Sequence, residues 1–109
     1  MKISTSIAVA EGECKKLNYC LASIEDFADE IVIFNIGEDQ YKLAGVLKGR
    51  SAKIIEQQPT EFVENIRNRM IDACSGDWIL ILDPDERLPE TLKEKLKDIV
   101  REDRFDAVN

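Results

Sequence analysis

The 109-residue chain has 44% hydrophobic and 34% charged residues and a net charge of −7, a composition typical of a soluble globular domain. The acidic balance disfavours nucleic acid as a partner, because phosphate backbones attract basic surfaces. No apolar run reaches the ~18 residues of a membrane span, and the first residues lack the apolar centre of a signal peptide. We therefore expect no integral membrane segment and a cytoplasmic location.

Strands and helices alternate in the predicted secondary structure. Short apolar runs rich in β-branched residues predict strands over residues 2–10, 30–36, 52–57 and 77–82. Apolar residues three and four positions apart predict amphipathic helices over residues 14–27, 40–49, 61–74 and 89–100. Residues 105–109 are a candidate fifth strand. In the last helix, we expect Leu92, Leu96, Ile99 and Val100 to face inward and Lys93 to lie on a solvated face.

The helix ends carry capping signals. Asp39 and Thr60 are expected to cap the second and third helices at their N-termini. Gly49 and Gly76 are expected to end the same two helices.

This order of elements predicts a single domain over residues 1–109 with a three-layer α/β/α sandwich. Continuous apolar strands that alternate with amphipathic helices indicate a mainly parallel sheet covered on both faces. Ligands of such sheets bind at the carboxyl ends of the strands. Three loops lie there, and all of them carry acidic residues: 10–13, 35–39 and 83–87.

A cluster of carboxylates follows the fourth strand in "WILILDPDERLP". Asp83 and Asp85 are two residues apart, so an extended backbone would point both side chains to one side. Two oxygen donors with open positions suit Mg²⁺ or Mn²⁺ shared with a phosphate ligand. The alternative is that the acids are solvated, with Glu86 beginning the next helix.

Three cysteines and the lack of histidine bear on other kinds of site. Cys14, Cys20 and Cys74 form no C-x-x-C pair, which disfavours both a zinc site and a disulfide framework. We expect free and mostly buried thiols.

The stretch "RNRMIDACSGDWILILDPDERL" resembles the family 2 nucleotide-sugar glycosyltransferases, which have a GT-A fold. Those sequences have a helix with an Arg-Asn pair, then Gly-Asp and an aromatic residue, and then a strand that ends in Asp-x-Asp. "CLASIEDFADEIVIFNIGEDQ" resembles the first helix and second strand of the family. The matching residues are Arg67, Asn68, Gly76, Asp77, Trp78, Asp83, Asp85, Glu86 and Leu88.

The resemblance implies strand order 3-2-1-4 and a role for several residues. Asn35 occupies the position of an Asp that contacts the nucleoside. Arg67 would lie near the base or diphosphate. Asp83 would approach the ribose or the metal, and Asp85 would bind the Mn²⁺ or Mg²⁺ that bridges the diphosphate of a nucleoside-diphosphate sugar.

The first two loops depart from the family pattern. Where the family commonly has Asn-Glu after the first strand, this chain has Gly12 and a matching Glu13. Asn35 replaces the usual Asp, which removes a charge and adds a donor. Glu13 and Gly37 complete the predicted nucleotide-sugar-binding set, and the identity of the base stays open.

The family's acceptor-binding half has no counterpart in these residues. We therefore expect the chain to be the donor-binding part of the enzyme, weakly active or inactive alone, with the catalytic base beyond Asn109. A homodimer through the C-terminal segment, residues 105–109, is expected from its apolar residues.

Other classes of protein remain as alternatives. A receiver-type signalling domain would also have an Asp after an apolar strand. A dinucleotide-binding domain would need a G-x-G-x-x-G turn, which is absent after the first strand. A non-catalytic α/β interaction domain is the third alternative.

Overall fold

The computed structural model describes residues 2–56 and 63–102 of the chain. All eight expected elements are present. Thr60 and the segment 105–109 lie outside the described residues, so the expected cap, fifth strand and dimer contact stay predictions. The elements are β1 (Ile3–Val9), α1 (Cys14–Ile24), β2 (Glu30–Asn35), α2 (Gln40–Leu47), β3 (Lys53–Glu56), α3 (Val63–Asp72), β4 (Trp78–Leu82) and α4 (Glu90–Glu102).

The four described strands form a parallel sheet in the order β3-β2-β1-β4, which confirms the expected topology. Receiver-type domains of the flavodoxin-like class have the order 2-1-3-4-5, so the receiver alternative does not fit. Because β1 lies between β2 and β4, the loops that follow these three strands meet at one edge of the sheet. Asn35 is paired with Val9 at that edge, and Leu82 is paired with Ile7.

Helices cover both faces of the sheet, as expected for three layers. The larger core joins α1, α2 and α4 to one face through Ile7 and Ile33. The smaller core packs Ile66 and Met70 of α3 against Val32 of the other face. No helix within the described residues is long and apolar enough to cross a membrane.

The inward face of α4 differs from the expected one. Leu92 is 42% exposed, whereas Lys93 is only 5% exposed. The Lys93 ammonium lies 2.9 Å from Asp26 and 2.7 Å from Glu90. The expected inward position of Leu92 and solvated position of Lys93 are therefore wrong, because two carboxylates hold the ammonium at the helix surface and its stem covers the core.

Gly76 has a different role from the expected one, because α3 ends four residues earlier, at Asp72. The Gly76 N–H donates to the Ser4 hydroxyl at 2.8 Å. A Cβ at this position would lie 2.5 Å from that hydroxyl and 2.9 Å from the Lys2 carbonyl oxygen. Glycine is thus required by the close approach of the chain to the start of β1.

Gly76→Ala should lower the free energy of unfolding by about 1–3 kcal/mol, because the added methyl group forces the backbone of β1 to shift. Gly45→Ala is the matched control, since a Cβ at Gly45 meets nothing within 4 Å. In helix α2 this control should stabilise the protein by up to about 1 kcal/mol. Urea unfolding monitored by Trp78 fluorescence measures both changes, and equal effects would contradict the steric explanation.

At the other edge of the sheet, where the strands begin, several hydrogen bonds meet at Glu30, the first residue of β2. Its carboxylate accepts from the Ser4 hydroxyl at 2.6 Å and from the N–H and hydroxyl of Ser75 at 2.8 and 3.0 Å. These hydrogen bonds, that of Ser4 first, lower the pKa of Glu30 from about 4.5 to about 2.

The lowered pKa makes the contribution of Glu30 to stability depend on pH. The charged carboxylate stabilises the fold above pH ~4.5, and this stabilisation is lost as the pH falls towards ~2. Glu30→Gln should remove that part of the acid dependence of the unfolding free energy. Urea unfolding between these two pH values measures it, and an unchanged acid dependence in the variant would refute the assignment.

Candidate functional site

The candidate site lies at the carboxyl edge of the sheet, where three loops meet. The first loop joins β1 to α1, the second joins β2 to α2, and the third joins β4 to α4. Hydrogen bonds inside and between these loops determine which polar groups remain available to a ligand.

Glu38 joins the first two loops. It is only 5% exposed. One carboxylate oxygen accepts from the backbone N–H groups of Gly12 and Cys14 at 3.1 and 3.2 Å, and the other accepts from that of Asp39 at 2.8 Å. These hydrogen bonds, that of Asp39 first, lower the pKa of Glu38, so the carboxylate is charged at neutral pH.

The sequence pattern did not single out Glu38, because an acidic residue in a loop is normally solvated. One signal was present: the residue directly precedes Asp39, which accepts from the N–H groups of Tyr41 and Lys42 as the expected cap of α2. An acid beside such a cap is held near the sheet edge, where the N–H groups at the start of a neighbouring helix need acceptors.

Asn35 organises the second loop from the end of β2. Its side-chain oxygen accepts from the N–H groups of Gly37 and Glu38 at 3.1 and 2.7 Å. Its side-chain nitrogen donates to the Glu38 carbonyl at 3.0 Å and to the Glu56 carboxylate at 3.4 Å. An Asp here would lack this donor and would face two acceptors, which gives a physical reason for Asn at the position where the family resemblance leads one to expect Asp.

The first loop has its own internal contacts. The Glu13 carboxylate accepts from the Ala10 N–H at 2.6 Å. Gly12 has a φ of +83°, a conformation that Gly and, less readily, Asn adopt. Gly12, which stands where the family commonly has Asn, therefore keeps a backbone conformation that Asn can also adopt. A Cβ on Gly37 would lie 3.9 Å from the Glu11 nitrogen, so the first two loops are in close contact.

The thiols near the site are poor nucleophiles. The three cysteines are free, as expected, and Cys20 is fully buried. Burial and then the Glu38 carboxylate raise the pKa of Cys14 to about 11. Burial, followed by the negative charges of Glu86, Asp85 and Asp83, raises the pKa of Cys20 to about 11. Both groups remain protonated thiols at neutral pH.

The third loop presents two available carboxylates. Glu86 accepts from the Asp83 N–H at 2.7 Å, and its own N–H donates to the Asp83 carbonyl at 3.0 Å. Asp83 and Asp85 are exposed. Throughout residues 2–56 and 63–102, neither of these two carboxylates has a hydrogen bond or ion pair.

The remaining predicted site residue, Arg67, lies on the exposed surface of α3. The structure thus connects Glu13, Asn35 and Gly37 through the first two loops. Among the described residues, no hydrogen bond or ion pair links Arg67, Asp83 or Asp85 to that group.

The model of a protein family described as "Glycosyl transferase family 2" matches residues 7–109. The chain belongs to this family. A nucleotidyl transferase from Methanothermobacter thermautotroptrophicus has the same fold, with a TM-score of 0.63 and 16% sequence identity over 92% of this chain and 57% of that one. The GT-A-like fold expected from the sequence is therefore confirmed.

Two curated relatives are longer than this family 2 domain. A TPR repeat-containing protein of Synechococcus elongatus is 32% identical over 80 residues, 73% of this chain and 20% of that protein. An uncharacterized glycosyltransferase of Rickettsia bellii is 25% identical over 96 residues, 88% of this chain and 32% of that protein. The domain thus spans about a fifth to a third of these relatives.

Glu38→Gln should loosen the first loop, because a side-chain amide has only one acceptor oxygen for three backbone N–H groups. The N–H groups of Gly12 and Cys14 are only partly buried, so each lost hydrogen bond should cost about 0.5–1.5 kcal/mol. Amide hydrogen exchange should speed up at Gly12 and Cys14. Glu11→Gln is the control, since Glu11 is exposed in the same loop and forms no side-chain hydrogen bond among the described residues. Unchanged exchange in Glu38→Gln would contradict this role.

Proposed function

We propose that this domain binds a nucleoside-diphosphate sugar as the donor-binding part of a glycosyltransferase, with Mn²⁺ or Mg²⁺ at Asp83 and Asp85. The observation that carries the proposal is the pair of exposed carboxylates after β4, which have no partner within the described residues. Asp83 and Asp85 are two residues apart in the chain, and their two negative charges could be neutralised by one divalent cation.

The residues present fit such an ion. The described part of the chain contains no group of three or more His, Cys, Asp or Glu placed to hold a metal by itself. Mg²⁺-type ions commonly take only one or two carboxylates from the protein and fill the other positions with water and phosphate oxygens. When bound, the ion would stabilise the negative charge of the departing diphosphate.

The other predicted residues would act at the nucleotide. Arg67 supplies a positive charge for the base end or diphosphate from α3. Glu13 and Gly37 belong to the joined first and second loops, which would form the nucleoside end of the cleft. Both polar side-chain atoms of Asn35 already have partners, so we expect Asn35 to shape this end more than to contact the nucleoside.

The acceptor and the base that deprotonates it belong to the proposed function of the whole protein. This chain matches only part of each curated relative, and the mechanism of transfer requires residues that activate an acceptor hydroxyl. We propose that the described loops bind the donor only. A cytoplasmic location and a lack of nucleic-acid binding are further expectations.

Asp85→Asn should abolish the metal-dependent part of nucleotide binding, because the amide carries no charge to hold the cation. Isothermal titration with UDP and GDP, in Mn²⁺ and in EDTA, measures it. We expect Mn²⁺ to raise the affinity of the unmodified domain about tenfold or more, equivalent to ~1.4 kcal/mol, and to leave that of the variant unchanged. Asp72→Asn, at the exposed end of α3, is the charge-matched control. Equal affinities of the unmodified domain in Mn²⁺ and EDTA would refute the metal role.

One observation favours the non-catalytic alternative. Asn35 and Glu38 use their polar groups within the chain and hold the first two loops together, which leaves fewer groups to recognise a nucleoside. An interaction domain would bind neither UDP nor GDP in the titration above, with or without Mn²⁺. Nucleotide binding that needs the metal would exclude this alternative.

A further inference from the structure

A positively charged groove lies beside the third loop, in a protein whose net charge is −7. It is lined by side chains of α1 and of the loop after β4: Lys15, Lys16, Tyr19, Asp85 and Arg87. Three cations and one carboxylate give this lining a net charge of +2. In the described residues, none of the three cations pairs with a carboxylate, although other basic side chains, such as Arg50 and Arg101, do so.

The groove is built on fixed elements. Lys15 and Lys16 precede Tyr19 by four and three residues, so the three side chains share one face of α1. The Arg87 guanidinium lies 4.5 Å from the centre of the Tyr19 ring, a cation–π contact that positions it over the groove. The third loop is attached to α1 because the Leu88 N–H donates to the Ser23 hydroxyl at 3.0 Å.

We infer that this groove binds a phosphate group without the help of a metal. A phosphate ester carries a charge near −2 at neutral pH and several acceptor oxygens, which match the charge of the lining. Lysine and arginine side chains donate charge-assisted hydrogen bonds to such oxygens. The half-exposed Tyr19 ring, at 48% exposure, adds a flat surface for the organic part of the ligand.

The groove lies on the α1 side of the sheet, whereas Arg67 comes from α3 on the other side. The proposed metal and donor diphosphate would thus lie between the cationic groove on one side and the Arg67 guanidinium on the other. We assign the groove to a phosphate-bearing acceptor, and this assignment rests on the proposed function. The phosphate site itself does not depend on it, because it requires no metal and no nucleotide.

Titration with inorganic phosphate in EDTA, followed by amide NMR shifts, tests the site. Shifts should concentrate at Lys15, Lys16, Tyr19 and Arg87. Lys16→Gln and Arg87→Gln should each weaken binding about two- to fivefold, the range for exposed ion pairs. Lys42→Gln is the control, since Lys42 is also exposed but lies on α2, outside the groove, and should change nothing. Equal losses in all three variants, or shifts spread over the surface, would overturn the site.

Asp85→Asn separates this inference from the proposed function. Loss of the carboxylate removes a repulsive charge from the groove, so phosphate binding in EDTA should strengthen about two- to fivefold. The same variant should lose metal-dependent nucleotide binding. Phosphate binding that weakens in Asp85→Asn would contradict the groove, whatever the nucleotide result is.

Two further ligands test which kind of molecule carries the phosphate and whether that molecule is the acceptor. Glycerol phosphate represents a soluble ester, and phosphatidylcholine vesicles with and without phosphatidic acid represent a lipid headgroup. Binding of either supports the site and names the source, whereas binding of neither overturns it. Glycerol phosphate that still binds when Mn²⁺ and UDP are saturating supports the acceptor assignment, and competition between them overturns it.

Discussion

The carboxyl edge of the sheet depends on the buried carboxylate of Glu38. It supplies acceptors to backbone N–H groups of two loops that follow adjacent parallel strands. Parallel strands make no hairpin at that edge, so their loops need another connection. The single carboxylate accepts from all three N–H groups and so holds the two loops together, although keeping an anion out of solvent costs free energy.

This connection divides the edge into two regions with different chemistry. Around Asn35 and Glu38 the polar groups are paired inside the chain, and the surface is already organised before any ligand arrives. Around Asp83 and Asp85 the carboxylates remain available, with the cations of Lys16 and Arg87 nearby. Carboxylates and cations that do not pair with each other are suited to a ligand that carries both signs of charge, such as a metal ion together with a phosphate.

Sequence patterns predicted most of the fold because each element follows a local rule. The apolar runs of four residues in β2 and five in β4 are typical of buried parallel strands, and the spacing of apolar residues predicts helix faces. The rule fails at Leu92 and Lys93, where the actual inward residue is a lysine. Helical periodicity predicts that the most hydrophobic side chains face inward. The inward position of Lys93 instead depends on its ion pair with Asp26, which is distant in sequence and adjacent in space.

The sequence by itself determined the element order, the class of sheet and the acidic pair Asp83 and Asp85, because these follow from the spacing of residues along the chain. The family resemblance also needed no structure, because it rests on the motif residues themselves. Only the tertiary structure decided which of the acids are available. The carboxylates of Glu38 and Glu86 accept hydrogen bonds from backbone N–H groups, whereas the carboxylates of Asp83 and Asp85 accept none among the described residues. The hydrogen bonds that Glu38 accepts from Gly12 and Cys14 form because the folded sheet brings the first two loops together, and the spacing of residues along the chain does not encode that proximity.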